Sequence, residues 1–373
     1  MTRYAELHCH TNFSFLDGAS HPYQLVERAA ALGYEALAIT DHNGFYGAAR
    51  FRAAAEAIGM PTVYGVEVGM PFGVPPPRPR PPAPGASPVA PVSRRGRIRR
   101  SHGAKPTDLP PTDHLVLLAP DPAGYSALSR LVTRAQFRGE KDHPVYDYGD
   151  LAEASRLGRL VALTGCRQGA AARAALEGDR EAALRAVLRL RDLFPGRLYV
   201  ELWHHGMPED DPRNGLLAEV ADLARIPTVA TNNAHYHVPS QADLAEVLAA
   251  VGGRRDLDTG YGFSPATDLR CLRSPEEMAG RFARYPGSVA RAADLGAALA
   301  FDLRLVAPRL PDFPMPGTFT TEAEYLRHLT LEGARIAYPG EIRGGIDPAA
   351  LRRIEHELGI IEDLGFPGYF LVV

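Results

Sequence analysis

Short apolar runs alternate with amphipathic stretches through the first 240 residues. Residues 4–9 read as a strand in which His8 and His10 share one face while Leu7 and Cys9 point into the opposite layer. Residues 22–32 set Leu25, Val26, Ala29 and Leu32 on one face of a helix, with Ser20 or His21 as cap, Pro22 near its first position and Gly33 to stop it. A second strand over 35–40 ends in Asp41-His42, and a helix over 45–58 is stopped by Gly59. A third strand over 61–68 carries Glu67 near its end. Apolar runs at 114–119, 160–164, 198–203 and 227–231 supply four more strands. Helical stretches lie over 122–137, over 169–193 with a break near Gly178-Asp179, and over 213–225. Seven strands, nearly all followed by helices, predict an α/β fold: a parallel sheet with right-handed crossovers, closed into a barrel.

Two regions depart from this rhythm. Residues 71–112 hold Pro75, Pro76, Pro77, Pro79, Pro81, Pro82 and Pro84, followed by Arg94, Arg95, Arg97, Arg99 and Arg100. Proline at this density excludes helix and central strand, so a disordered surface insertion is expected. Its arginines form a solvated patch or, alternatively, an electrostatic tether to nucleic acid, with no interleaved aromatics for base stacking. Beyond Ser240 helices dominate, and the apolar ending over 365–373 reads as the middle of a strand, as if the chain were cut from a longer protein. The expected division is a barrel over 1–240 and an incomplete helical region over 241–373.

Composition narrows the class only a little. With 373 residues, 45% apolar and 23% charged, the chain can bury one large core and part of another. A net charge of −3 does not mark a nucleic-acid binder. Three cysteines, Cys9, Cys166 and Cys271, do not make a disulfide framework and fit a reducing cytoplasm. No secretory signal or run of about 18 apolar residues appears, so no membrane association is expected.

Chemistry concentrates where strands run into the loops after them. His8, His10, Asp17, Asp41, His42, Glu67, Cys166, Asn233 and His235 all occupy such places. His114 begins its run, so in a parallel sheet either the preceding loop bends into the site or His114 takes no part. Imidazole, carboxylate and thiolate suit zinc, whereas manganese or iron would favour the nitrogen and oxygen donors. The set exceeds the needs of one tetrahedral ion. Two or three ions bridged by Glu67 would use it and would support metal-assisted phosphoester hydrolysis. Asp41 is better placed to orient a ligand than to be one. A lone strand histidine is more often a packed core residue. His204, His205 and His237 read as surface or supporting groups, while Cys271, His102, His143, His328 and His356 read as incidental.

The stretch from Glu6 through His8-Cys9-His10-Thr11-Asn12-Phe13-Ser14-Phe15-Leu16-Asp17-Gly18 to Ser20, together with Leu37 to His42, resembles the polymerase-and-histidinol-phosphatase (PHP) domain. It is most similar to the N-terminus of bacterial C-family polymerases, the polymerase III alpha subunits, and within them to the error-prone branch. His114 to Ala119, Leu163 to Cys166 and Ala230 to Tyr236 also match, and Gly365 to Phe370 resembles the approach to that family's palm. The resemblance implies a distorted seven-stranded α/β barrel with up to three divalent metals. It implies that His8, His10, Glu67 and Asn233 surround one ion, that Glu67, His114 and Cys166 hold a second, and that Asp17, His42 and His235 hold a third. His8, His10, Glu67 and His235 would be the catalytic members. Asn233 departs from the usual aspartate and carries no charge. In some relatives a full set of ligands accompanies proofreading-like 3′–5′ exonuclease activity; others have lost the set and keep the domain as a scaffold. DNA, met through a longer polymerase, and other replication or repair proteins are the implied partners. The polymerase aspartates lie beyond this chain, so no polymerisation is expected of it alone. A free-standing small-molecule phosphatase is the third reading, disfavoured by the palm-like tail.

Overall fold

The computed structural model describes residues 2–71, 112–141, 143–254, 257, 269–306, 313–342 and 344–373. The proline- and arginine-rich stretch between Pro71 and Thr112, and His102 within it, fall outside the described residues. The chain divides into two compact units, residues 1–306 and 307–373.

Seven strands form one sheet in chain order: β1 (Ala5–Glu6), β2 (Ala36–Ile39), β3 (Thr62–Pro71), β4 (Thr112–Leu118), β5 (Val161–Leu163), β6 (Leu198–Leu202) and β7 (Thr228–Ala230). The sheet closes just beyond its outer strands. Cys9 pairs with Ala234, His10 N donating to Ala234 O at 2.8 Å and Ala234 N to His8 O at 2.9 Å. The α/β barrel expected from the sequence is therefore present.

Its strands are not all parallel. β4 runs antiparallel to both β3 and β5, while every other neighbouring pair is parallel. A parallel neighbour needs a crossover, usually a helix; an antiparallel one does not. No helix lies between β3 and β4 among the described residues, and the two pair from Gly65 opposite Leu118 to Pro71 opposite Thr112.

The helices around the barrel are α1 (Pro22–Ala31), α2 (Ala48–Ile58), α3 (Pro122–Arg138), α4 (Tyr148–Gly158), α5 (Ala170–Leu176), α6 (Arg180–Leu193), α7 (Asp210–Ala224), α8 (Ala242–Gly252), α9 (Pro275–Arg281) and α10 (Ser288–Leu299). Their starts follow local chemistry: the side chains of Asp121, Asp147 and Asp179 accept from backbone N–H groups in the first turns of α3, α4 and α6. Gly59 stops α2 in the left-handed conformation at φ 70°. Leu7, Cys9, Leu25, Val26, Leu37, Phe51, Val63 and Val66 are fully buried in the core.

Helix α10 belongs to the region expected to lie outside the barrel, yet it packs on β1, β2, β3 and β7. Gly296 permits this contact: a Cβ there would stand 2.5 Å from the Ala5 Cβ and 3.1 Å from the Ala36 Cβ. The second unit holds α11 (Glu322–Ala337), α12 (Pro348–Asp363) and α13 (Pro367–Val372). The expected terminal strand is thus a helix. Pro367 sits in its first turn, where a missing N–H costs nothing, whereas a central strand would lose a ladder bond. Among the described residues no helix is long and apolar enough to cross a membrane.

Candidate metal centre

The reversed β4 settles the position of His114. Because the strand runs backwards, its first residues lie at the end of the barrel where the parallel strands finish, and His114 pairs with Gly69, two residues past Glu67. Gly165 brings the turn after β5 against it. At φ 84° it takes a left-handed conformation, and a Cβ there would lie 2.2 Å from the His114 carbonyl oxygen. Cys166 follows, its Sγ 3.4 Å from His114 Nδ1.

Glu67 is the hub. It is buried, with Oε2 3.0 Å from His42 Nδ1, 3.1 Å from His114 Nδ1 and 3.5 Å from His10 Nε2. Its Oε1 is 3.4 Å from His8 Nε2 and has no hydrogen-bond partner. His8 and His10 are fully buried with their Nε2 atoms 3.1 Å apart, as expected for alternate residues of one strand. Asp17 Oδ2 lies 2.9 Å from both His42 Nε2 and His235 Nε2. The rings of His42 and His235 each sit 4.5 Å from that of His10. Asn233 is buried at φ 44°; its carbonyl oxygen is 2.8 Å from His235 Nδ1 and its Oδ1 has no partner.

Three groups of donor atoms could each hold a metal ion: His8, His10 and Glu67; His10, Asp17 and His235; and His42, Glu67 and His114. The grouping is more shared than the sets implied by the resemblance, in which Glu67 alone served two ions. His10 faces both His8 and Asp17, and His42 lies between Asp17 and Glu67. Cys166 touches His114 at the edge of the third group. Imidazole, carboxylate and thiol donors around buried, unpartnered Glu67 Oε1 and Asn233 Oδ1 fit divalent cations.

Electrostatics point the same way. Burial opposes a charge on His8, but the Glu201 and Glu67 carboxylates outweigh it and lift its pKa to about 10. His42 is likewise lifted to about 10 against burial, by Glu67 and Asp17. Burial together with His42 and His235 holds His10 well below the usual imidazole range. Glu67, despite its burial, is held far below the ordinary carboxylate range by His114, His8 and His42. Asp17 is held low against its own burial by His235. Burial pushes the Cys166 thiol up, and Glu67 adds to the effect. Protons on imidazoles thus balance buried carboxylates, and metal ions entering would displace them.

The supporting residues include several that sequence reasoning missed. Glu201 of β6 is fully buried, with Oε1 2.7 Å from His8 Nδ1 and accepting from Thr231 Oγ1 at 2.5 Å. Its signal was a carboxylate inside the apolar run from Leu198 to Trp203. Such a partner fixes the ring of a ligating histidine and raises its basicity. Asp41 acts through Ser14, as an orienting group: it accepts from Ser14 Oγ at 2.7 Å, and Ser14 Oγ is 3.1 Å from His10 Nδ1. Thr11 N and Oγ1 donate to the same carboxylate at 2.7 and 2.8 Å. Arg270 reaches His235, with Nη2 2.9 Å from Nδ1 and in contact with Nε2, and stands 3.9 Å from Asp17 Oδ1. No motif in the sequence announced it. His205 is buried with Nε2 2.7 Å from Asn232 O, and His237 Nδ1 is 2.8 Å from Ser20 Oγ, so both support loops. His143 and His356 are exposed, and His328 pairs with Glu332 in the second unit.

Known proteins match along almost the whole of this chain. The chain is 44% identical over 372 residues to the error-prone DNA polymerase of Mycobacterium tuberculosis, covering 99% of this chain and 31% of that protein. It is 44% identical over 393 residues to the error-prone DNA polymerase of Nocardia farcinica, covering 99% of this chain and 33% of that protein. With the DNA polymerase III subunit alpha of Treponema pallidum it shares 29% over 371 residues, 99% of this chain and 29% of that protein. The chain therefore spans about a third of the length of the curated relatives it matches. The family model for the PHP domain matches residues 6–205, the stretch that carries Glu67 and most of the donors around it, and the chain belongs to the PHP domain family.

Proposed function

We propose that the barrel is a metal-dependent phosphoesterase acting on DNA 3′ ends, as the N-terminal part of an error-prone DNA polymerase. The observation that carries this reading is one buried carboxylate, Glu67, lying within 3.5 Å of four imidazoles. A structural carboxylate needs one or two partners; a hub of this kind suits a bridge between cations. His8, His10 and Glu67, with Asn233 beside them, would hold one ion. Glu67, His114 and Cys166 would hold a second, and Asp17, His42 and His235 a third. His10 and Glu67 each belong to two groups of donors, and His42 lies 2.9 Å from Asp17 and 3.0 Å from Glu67. Zinc suits the Cys166 corner; manganese or iron would suit the rest. Such ions activate water and neutralise phosphate charge during in-line attack. The protein's part is to fix the donors: Glu201 turns His8, and Ser14 with Asp41 turns His10. In the longer protein, residues 241–373 would lead into the polymerase palm, DNA would be the partner, and the cytoplasm the compartment.

A second reading, a catalytically silent scaffold, is favoured by Asn233. A neutral amide where a carboxylate would add charge weakens a cation site.

The test is metal analysis of the purified chain together with hydrolysis of 3′-labelled DNA and of p-nitrophenyl phosphate. Bound divalent metal with cleavage lost in His8→Ala and Glu67→Gln is the expected result. Stoichiometric metal without cleavage of either substrate, and a His8→Ala variant changed only in stability, would establish the scaffold instead.

A further inference from the structure

The donor cluster has a floor and a mouth. His8, His10 and Glu67 are buried, while the side chains of Asp17, His42 and His114 stay partly exposed. Arg270 stands at the mouth, its side chain 23% exposed. Its Nη2 lies 2.9 Å from His235 Nδ1 and touches Nε2, and Asp17 Oδ1 is 3.9 Å away. Among the described residues, no other arginine or lysine side chain pairs with a donor of the centre, and Nε and Nη1 of Arg270 have no protein partner.

The backbone carries this guanidinium to one place. Buried Asn232 donates through Nδ2 to Leu269 O at 2.8 Å and to Cys271 O at 2.6 Å, the carbonyls on either side of Arg270. His235 N donates to Arg270 O itself at 2.8 Å. Asn232 N is in turn held by the Glu6 carboxylate at 2.9 Å. A segment ordered in advance lowers the cost of binding a ligand there.

His235 and Asp17 are not lasting partners for Arg270. A histidine that ligates a cation is neutral. In a neutral His235 ring the proton on Nδ1 goes to Asn233 O at 2.8 Å, and Nε2 keeps its lone pair. Arg270 faces the nitrogen that a divalent cation would take, and Asp17 belongs to the same group of donors. Filling the centre therefore strips Arg270 of both neighbours and offsets the charge of Asp17 and Glu67. What remains at the mouth is a planar, permanently charged fork, whose N–H groups match two oxygens of a phosphate.

Resting on the phosphoesterase reading, we infer that Arg270 is the anion-binding residue of this centre and meets the non-bridging oxygens of the substrate phosphate once the donors hold metal.

Isothermal titration calorimetry of inorganic phosphate into the full 373-residue chain, metal-free and loaded with manganese, tests the inference. The loaded chain binds phosphate and the metal-free chain does not, because bare carboxylates repel it. Arg270→Ala weakens binding to the loaded chain by about 10- to 150-fold, as expected for a lost charged hydrogen bond. Arg270→Lys, a point charge without the fork, recovers part of the loss. In a chelator competition Arg270→Ala holds manganese at least as tightly as the unaltered chain, since a cation facing His235 Nε2 has gone; a residue that only supported the loop would lower metal affinity. Equal phosphate binding in the alanine variant, no binding by the loaded unaltered chain, or loss of metal together with phosphate in both variants overturns the inference. Phosphate held through Arg270 by a chain that cleaves neither 3′-labelled DNA nor p-nitrophenyl phosphate refutes the phosphoesterase reading alone. Cleavage with unchanged kcat and KM in Arg270→Ala refutes the role of Arg270 alone.

Discussion

Replacing Gly296 by alanine should destabilise the barrel, although alanine is the better helix former. In the middle of a helix, glycine to alanine is worth about 0.5–1 kcal/mol in favour of alanine. Against this stands the contact of α10 with the sheet. The new methyl would lie 2.5 Å from the Ala5 Cβ and 3.1 Å from the Ala36 Cβ. Neither methyl can rotate away, and both belong to strands, so α10 or β1 must move. Overpacking of this kind costs about 1–3 kcal/mol. The clash outweighs the propensity, leaving a net loss on the order of 1–2 kcal/mol. Gly215 of α7 is the control: it is exposed, and a Cβ there meets nothing within 4 Å. Gly215→Ala should therefore stabilise by about 0.5–1 kcal/mol. Urea denaturation followed by far-ultraviolet circular dichroism reads both midpoints. Because β1 leads directly into His8 and His10, Gly296→Ala should also weaken metal binding in a chelator competition, while Gly215→Ala should not. Equal stabilisation by the two substitutions would refute the packing of α10 on β1 and β2.

Three further outcomes follow from the centre and its surroundings. Glu201→Gln keeps the shape beside His8 but removes the charge, and should lower divalent-metal affinity by about 10–100-fold in a chelator competition; an unchanged affinity would show that Glu201 does not orient a ligand. Asn233→Asp should raise affinity by a similar factor of about 10–100 and increase the thermal shift on adding metal, because the buried unpartnered Oδ1 gains a charge that only a cation can balance; a weaker site after the change would contradict the geometry. His205 is held neutral, its pKa lowered to about 3 by burial and by Arg270, with Asp210 opposing and His235 adding to the effect. The unfolded chain protonates near its ordinary value of about 6.5, so this contribution is complete above that pH and is lost as pH falls toward 3, up to about 5 kcal/mol in total. His205→Gln should flatten the acid limb of the stability curve measured by urea titration, and an unaltered limb would remove His205 as its cause.

The strand count, the shared face of His8 and His10, the helix stops at Gly33 and Gly59, and the place of Glu67 near the end of its strand were all legible in the sequence. They depend on local periodicity and on residues with restricted backbones. The direction of β4 was not legible. An apolar run such as His114 to Ala119 has the same pattern in either direction, and only pairing with distant β3 and β5 decides. Glu201 was hidden because a single carboxylate in a strand gives no hint of the histidine it will meet 193 residues away. Arg270 was hidden for the same reason, and α10 because its small residues fit a sheet that local pattern cannot show. The terminal apolar run was read as a strand because hydrophobicity alone does not separate a short strand from a short helix; Pro367 was the available signal.

The reversed strand has a consequence for how the chain can vary in length. Pro71 and Thr112 are partners in the β3–β4 ladder, so the 40 residues numbered 72–111 begin and end at one place. For a flexible insertion at such a point, the entropy of closing it grows only with the logarithm of its length, about 0.6 kcal/mol for each doubling. That junction is a natural port: a tag, a reporter or a whole domain can be spliced between two strands that are already joined, a few residues from Glu67 and His114, while the pairing that positions them is kept.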